Sequence, residues 1–416
     1  MKNKNFIEIL APVGSWPSFY AALSAEADAV YFSSGTFNMR ARSATNFSFS
    51  DLEKIVKIAK EKKVKTYVTV NTILYDNDLS LMKKTCDAIK NSGANAVIAT
   101  DIATILYAKS ISLPIHASTQ LNISNIEAVQ FYSQYVETIV LARELTLEQI
   151  SSICSEILKK KILSPLGSPI KIELFVHGSL CVSIAGKCYM SLAEFNTSAN
   201  RGKCFQPCRK KYKVFDEETG NSLIIDNEYV MSPKDLCTIS FMDKIIHSGV
   251  SLLKIEGRGR SPEYVYTTVK TYKQALQAVL SNTFSKEKVS LWLEDLKKVY
   301  NRGFWEGGYY LGKKLGQWSA SYGSQATRKK SYIGKAKNYF SHKKIAEFLL
   351  EAGEIKKGNS ILIIGKTTGI IDTKIEQIRD VNGKEITHAK KGEIITFPID
   401  KPMKKNDQLY ILYDKT

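Results

Sequence analysis

The chain has 416 residues, 44% of them hydrophobic, with 59 Lys and Arg against 41 Asp and Glu and a formal net charge of +18. That length suits two or three globular domains with sizeable cores, and no uninterrupted apolar run is long enough to span a bilayer, so no membrane role is expected. The charge exceeds what solubility requires and favours an anionic partner such as RNA, although a Lys-, Ile- and Asn-rich composition by itself raises the basic count.

The first residues place Glu8 where the apolar stretch of a secretory signal should run, so a cytoplasmic, reducing location is expected. From there a rhythm of short apolar strand, loop and amphipathic helix repeats. Strands are predicted at 8–11, 29–32, 65–70, 96–99, 115–117, 138–141, 172–176 and 252–255. Between them, apolar residues recur three and four apart, as in Leu52, Ile55, Ile58 and Ala59, or Leu147, Ile150, Ile153 and Ile157. Eight strands alternating with helices predict an α/β fold, a TIM-like (β/α)8 barrel whose site gathers at the C-terminal strand ends. An open dinucleotide-binding sheet is disfavoured because no G-x-G-x-x-G follows the first strand.

In such a barrel, the polar residues just past each strand line the site. Arg40 and Arg42, Asn71, His116, Arg143, His177, then Glu256, Arg258 and Arg260 occupy those positions. Guanidinium forks there suit a small anion bearing carboxylates or phosphates, while His116, His177 and Glu256 are the candidate proton-transfer groups.

Between the seventh and eighth strands, Cys181, Cys188, Cys204 and Cys208 crowd a polar stretch, with Cys237 farther on. Thiols clustered this way in a reducing compartment suit a metal or an iron–sulfur cluster; two disulfides or buried free thiols are the plainer alternatives. Only the last pair is close, so two tight zinc knuckles are absent. Cys86 and Cys154 fall within helical patterns and are expected in the core. Residues 211–225 predict a β-hairpin bracing this segment. Helices are expected at 262–280 and 287–299, and 301–310 reads as an aromatic loop. Gly307 to Lys313 mimics a phosphate loop in spacing, but Lys314 stands where Ser or Thr must hold magnesium.

From Ser331 the pattern changes to short strands, at 332–340, 345–350, 360–364, 375–378, 393–397 and 408–413, predicting a small C-terminal antiparallel β-barrel. Sixteen Lys and Arg against eleven Asp and Glu leave +5 on residues 331–416, so the basic charge is shared along the chain. The expected domains are the barrel over 1–284 with its cysteine segment at 178–237, a helical and aromatic linker over 285–330, and the β-barrel over 331–416.

The run Glu173 to Cys181 (ELFVHGSLC) followed by Gly186-Lys187-Cys188-Tyr189-Met190-Ser191 closely resembles the signature of the collagenase-like U32 peptidase family. Leu10 to Gly14, Ser232 to Cys237, Lys254 to Arg258 and Asn301 to Phe304 extend the resemblance over nearly the whole chain. Some members of that family are described as proteases; others are oxygen-independent hydroxylases of quinone precursors, ribosomal RNA or transfer RNA. The resemblance to the transfer-RNA branch implies a [4Fe–4S] cluster held by Cys181, Cys188, Cys204 and Cys208, with Cys237 the alternative fourth ligand. It further implies prephenate, a small dicarboxylate, as oxygen source held by the arginines, and tRNA as partner, its wobble uridine becoming 5-hydroxyuridine while stacked on Tyr189 or Phe205. A second family member as partner chain is compatible with it. A U32-type peptidase is the alternative activity, and a non-catalytic RNA-binding factor a third, although no H-E-x-x-H helix or G-x-S-x-G elbow is present.

Overall fold

The eight predicted strands all form, and each starts where a short β-branched or aromatic run is bounded by turn residues. The structure, a computed structural model, describes residues 7–41, 46–184, 186–212, 215–220, 232–312, 318–319 and 323–415. Strands β1 (Glu8–Pro12), β2 (Ala29–Phe32), β3 (Lys65–Val70), β4 (Ala96–Ala99), β5 (Ile115–Ala117), β6 (Thr138–Val140) and β7 (Lys171–Gly178) pair in sequence order, all parallel. A short β8 (Asp235–Cys237) and then β9 (Leu252–Ile255) follow, and β9 pairs in parallel with both β7 and β1, which closes an eight-stranded TIM-like barrel.

Helices α1 (Trp16–Ser24), α2 (Phe49–Glu61), α3 (Leu79–Asn91), α4 (Ile102–Ser110), α5 (Ile126–Ser133) and α6 (Leu147–Lys159) separate the first seven strands. Their starts are written locally. Ser15, Asp101 and Asn125 accept hydrogen bonds from the first-turn amides, while Ser48 with Asp51 and Thr146 with Gln149 form capping boxes. Each helix buries its periodic apolar face, and Cys86 and Cys154 lie in that core as expected.

Two short strands lie outside the barrel. β8 runs antiparallel to the end of β7, and β10 (Phe304–Glu306) pairs in parallel with β8. The aromatic loop expected at 301–310 is therefore partly strand, because Trp305 is buried in the barrel core and its backbone finds partners on β8. The cysteine segment carries the one-and-a-half-turn α7 (Met190–Phe195); α8 (Met242–His247), α9 (Pro262–Leu280) and α10 (Lys286–Lys298) complete the helical shell. Trp292, Leu296 and Val299 of the expected linker share the barrel's hydrophobic cluster. Of the hairpin expected over 211–225, residues 213–214 and 221–225 lie outside the described residues.

Beyond Arg328 an antiparallel sheet of eight strands packs one face round its own core, with Phe348 and Phe397 stacked 5.1 Å apart at its centre. Strands Ser360–Gly365 and Gly369–Lys374 form a tight hairpin, the second of which the expected strand at 375–378 misplaces by several residues. The sheet rests on the barrel through Ala21 of α1 against Leu362, Ile364 and Ile370, and through an ion pair of Lys330 with Glu263 at 2.7 Å.

Gly178 is the hinge of the mouth. Its φ is +108°, and a Cβ there would stand 2.5 Å from the Glu256 carbonyl oxygen and 3.0 Å from the Tyr264 hydroxyl. Gly178→Ala is expected to lower stability by about 1–3 kcal/mol from backbone strain, with the clash in addition; urea unfolding measures it, and an unchanged midpoint contradicts the close approach.

Candidate active site

Alternation along the strands points Glu8, Leu10, Tyr31, Tyr67, Ile98, His116, Glu173, Phe175 and Lys254 into the barrel. The interior is charged as well as apolar. Glu173, fully buried, accepts from Lys254 Nζ at 2.6 Å and lies 3.1 Å from His116 Nδ1. Burial drives the Glu173 carboxyl up, but Lys254 and His116 outweigh it and hold it down to about 2. The phenol of Tyr67 donates to Glu8 at 2.8 Å, and its ring lies 4.2 Å from that of His116.

Above this floor opens a cavity of about 330 Å³ at the C-terminal strand ends. Arg40, from the loop after β2, donates to Glu256 Oε1 through Nη2 at 2.9 Å and Nε at 3.2 Å. Although burial raises the Glu256 carboxyl, Arg40, followed by Arg260, holds it down to about 2. Glu256 is thus held to the Arg40 guanidinium at the cavity wall rather than free within it. Arg258 is buried and donates to Thr69 Oγ1 at 2.8 Å and Asn38 Oδ1 at 3.3 Å. Asn71 accepts from the Met39 amide, and Arg143 lies 4.0 Å over the Phe175 ring while donating to the Ser179 carbonyl at 3.1 Å. All five line the cavity. Arg42 lies outside the described residues.

The four crowded cysteines form one wall of the same cavity. Cys181 is exposed and the other three are half-buried. Burial, together with the nearby thiols of Cys181, Cys204 and Cys188, pushes Cys208 up to about 11 against the pull of Arg209. Cys181 goes the other way, because Ser183 and two backbone amides outweigh its burial. Among the described residues no three Cys, His, Asp or Glu side chains are already drawn round a common point. As a donor set the wall fits an iron–sulfur cluster: it offers thiols alone, with the Gln206 amide 3.4 Å from Cys204 Sγ and the guanidinium groups of Arg40, Arg143 and Arg209 able to balance thiolate charge. Cys237 sits apart on β8, fully buried behind the wall with its sulfur 4.0 Å from the Tyr272 hydroxyl, and burial pushes it up to about 12.

Neither histidine reaches the cavity. His116 belongs to the charged floor beneath it. His177 was expected at the mouth, but a β-bulge between Phe175 and His177 inserts one residue opposite β9 and turns the imidazole outward among Tyr264, Tyr272 and Phe304. Three cavity residues, Arg209, Arg302 and Lys254, escape a strand-end reading. Ser179 Oγ takes donors from both Arg260 at 2.8 Å and Arg302 at 3.1 Å, and Arg209 donates to the Leu180 carbonyl at 2.7 Å. Lys254, a strand interior residue, completes the lining. The signal for Arg302 was its place in Asn301-Arg302-Gly303-Phe304; for Lys254 it was a charge inside an otherwise apolar strand.

A profile described as peptidase family U32 matches residues 14–320. The protein of Porphyromonas gingivalis named collagenase is 49% identical over 408 residues, 98% of each chain. The tRNA hydroxylation protein P1 of Bacillus subtilis is 29% identical over 407 residues, 95% of this chain and 92% of that one. The 23S rRNA 5-hydroxycytidine C2501 synthase of Escherichia coli is 32% identical over 304 residues, 71% of this chain and 44% of that one. No helix among the described residues is long and apolar enough to cross a membrane.

The outward His177 makes stability depend on pH. Burial depresses it to about 3, whereas an unfolded chain takes up that proton near 6.5, so below 6.5 the unfolded state binds more protons and stability falls as pH drops toward 3. Between pH 7 and pH 5 this is worth about 2 kcal/mol. His177→Gln should flatten that part of the slope in urea titrations at the two pH values.

Proposed function

Because this chain belongs to peptidase family U32, we propose that it is an iron–sulfur-dependent, oxygen-independent RNA hydroxylase, forming 5-hydroxyuridine at the tRNA wobble position with prephenate as oxygen source. The observation that carries this reading is a single cavity walled on one side by four thiols and on the others by arginines. The relatives named for hydroxylation of tRNA and of 23S rRNA support an RNA base as substrate.

Cys181, Cys188, Cys204 and Cys208 would hold the [4Fe–4S] cluster, which supplies electron-transfer chemistry when bound. The chain's own residues bind and orient. Arg143, Arg258, Arg260 and Arg302 present guanidinium groups to the two carboxylates of prephenate, and Arg40, fixed by Glu256, closes that ring. Tyr189 is 80% exposed beside the cysteine wall and offers its face to an incoming uridine, whereas Phe205 is already stacked on Phe195 at 4.4 Å. Cys208 rather than Cys237 is the fourth ligand of this reading, since Cys237 lies outside the cavity lining.

A U32-type peptidase is the second reading, favoured by the 49% identical relative named collagenase. Against it, neither His116 nor His177 lines the cavity, so no Cys–His or Ser–His pair forms there among the described residues.

Protein purified without oxygen is expected to carry four iron and four sulfide per chain, an order-of-magnitude match to one cubane. Cys188→Ala and Cys208→Ala should lose it and Cys237→Ala retain it; retention in all three breaks the ligand assignment. Given prephenate and unmodified tRNA, the protein should yield 5-hydroxyuridine by nucleoside mass spectrometry, with Arg258→Gln slower by about a hundredfold. Gelatin cleavage that persists in Cys188→Ala, with no modified nucleoside, would instead establish the peptidase.

A further inference from the structure

Lys254 is a charged residue that the binding roles above leave unexplained. It is 4% exposed, yet its side chain reaches the floor of the cavity, and among the described residues lining that cavity it is the one primary amine. Its Nζ lies 4.7 Å from the Tyr31 ring centre and 5.3 Å from that of Phe175. Arg143 lies over the same Phe175 ring at 4.0 Å, and its buried Nε has no hydrogen-bond partner. A buried Lys–Glu pair is no device for stability, because desolvation cancels most of its attraction and well-packed apolar residues do as well. The retained amine therefore calls for a chemical use.

We propose that Lys254 is a catalytic nucleophile that captures a 2-oxo acid in this cavity as an imine, with Arg143 holding the acid's carboxylate. In a 2-oxo acid the carbonyl carbon is bonded directly to the carboxylate carbon, so a guanidinium and an amine that share one aromatic ring can take the two groups together. The step balances without an oxidant. The neutral amine adds to the carbonyl carbon, a C–N bond forms, and the carbonyl oxygen leaves as water with the two amine protons, giving C=N. The proton that Lys254 must first lose passes to water entering the open cavity, since Glu173 at 2.6 Å, whose other oxygen faces His116 Nδ1, is the amine's counter-ion rather than its base. Burial lowers the proton affinity of Lys254, and Arg258 and Arg143 lower it further against the opposing pull of Glu173. Desolvation and neighbouring cations are the two ways a lysine is made nucleophilic near neutral pH.

The choice of a 2-oxo acid rests on the reading of prephenate, which carries one, as co-substrate. The test needs neither iron nor RNA, so its failure leaves hydroxylation to be judged by the nucleoside assay, and failure of hydroxylation leaves the imine to be judged here. The full-length protein is incubated with pyruvate and sodium cyanoborohydride and then mapped by peptide mass spectrometry. The expected result is preferential labelling of Lys254, heavier by pyruvate less one oxygen, with labelling slowed by prephenate. Arg143→Gln should slow it at least about tenfold, the worth of one charge-assisted hydrogen bond. Lys254→Arg, which keeps a cation against Glu173, should lose that adduct. Labelling spread evenly over surface lysines in the unaltered protein overturns the proposal, whether or not the variants fold; so does labelling of Lys254 that neither prephenate nor Arg143→Gln slows.

Discussion

The parallel pairing of β7 with β9 is the constraint on which the rest depends. It closes the barrel across a gap in sequence, 179–251, that no other barrel interval approaches in length. The segment leaves at the C-terminal rim, where β7 ends, and returns through α8 to the opposite rim, where β9 begins, so its first part, with the cysteines and Arg209, is delivered to the mouth by topology rather than by its own folding preference. Gly178 makes the exit, at a backbone angle and a spacing from Glu256 that a side chain would obstruct. The bulge two residues earlier decides which way the last side chains of β7 face.

Charge is layered inside this closure. At the floor, buried Glu173 lies against Lys254 and His116, which hold its carboxyl well below the usual range in spite of its burial. At the rim, one carboxylate, Glu256, is paired with Arg40, while Arg143, Arg258, Arg260 and Arg302 spend their hydrogen bonds on neutral oxygens of Ser179, Thr69 and Asn38. The 3.5 Å contact of Arg302 with Asp235 adds to that compensation. A cavity with this excess of cationic donors is preorganised for an anion, since the guanidinium groups are held in place before any ligand arrives.

The cysteine wall obeys a different logic. Its thiols are spread over a segment with little regular structure, and the contacts they make are local to it: Cys181 with Ser183 and the adjacent amides, Cys204 with Gln206 and Ser191. The C-terminal sheet stands on α1 and α9, away from this wall, with a core of its own. Both parts carry a net positive charge.

The eight barrel strands and the helical periodicity between several of them were legible in the sequence, because a parallel strand buried on both faces is a short apolar run and an amphipathic helix repeats its apolar residues three and four apart, both local properties. The crowding of Cys181, Cys188, Cys204 and Cys208, and the arginines at strand ends, were equally plain. What only the tertiary structure decided were matters of facing and long-range pairing. His177 looked like a mouth residue until the bulge turned it outward; Cys237 takes its place outside the cavity lining through its pairing with β7; Phe304 to Glu306 became strand only because β8 offered it partners. Arg302 and Lys254 join the cavity through contacts 123 and 81 residues away in sequence. Local pattern carries no term for such contacts, because they arise from barrel closure, and closure is a property of the whole chain.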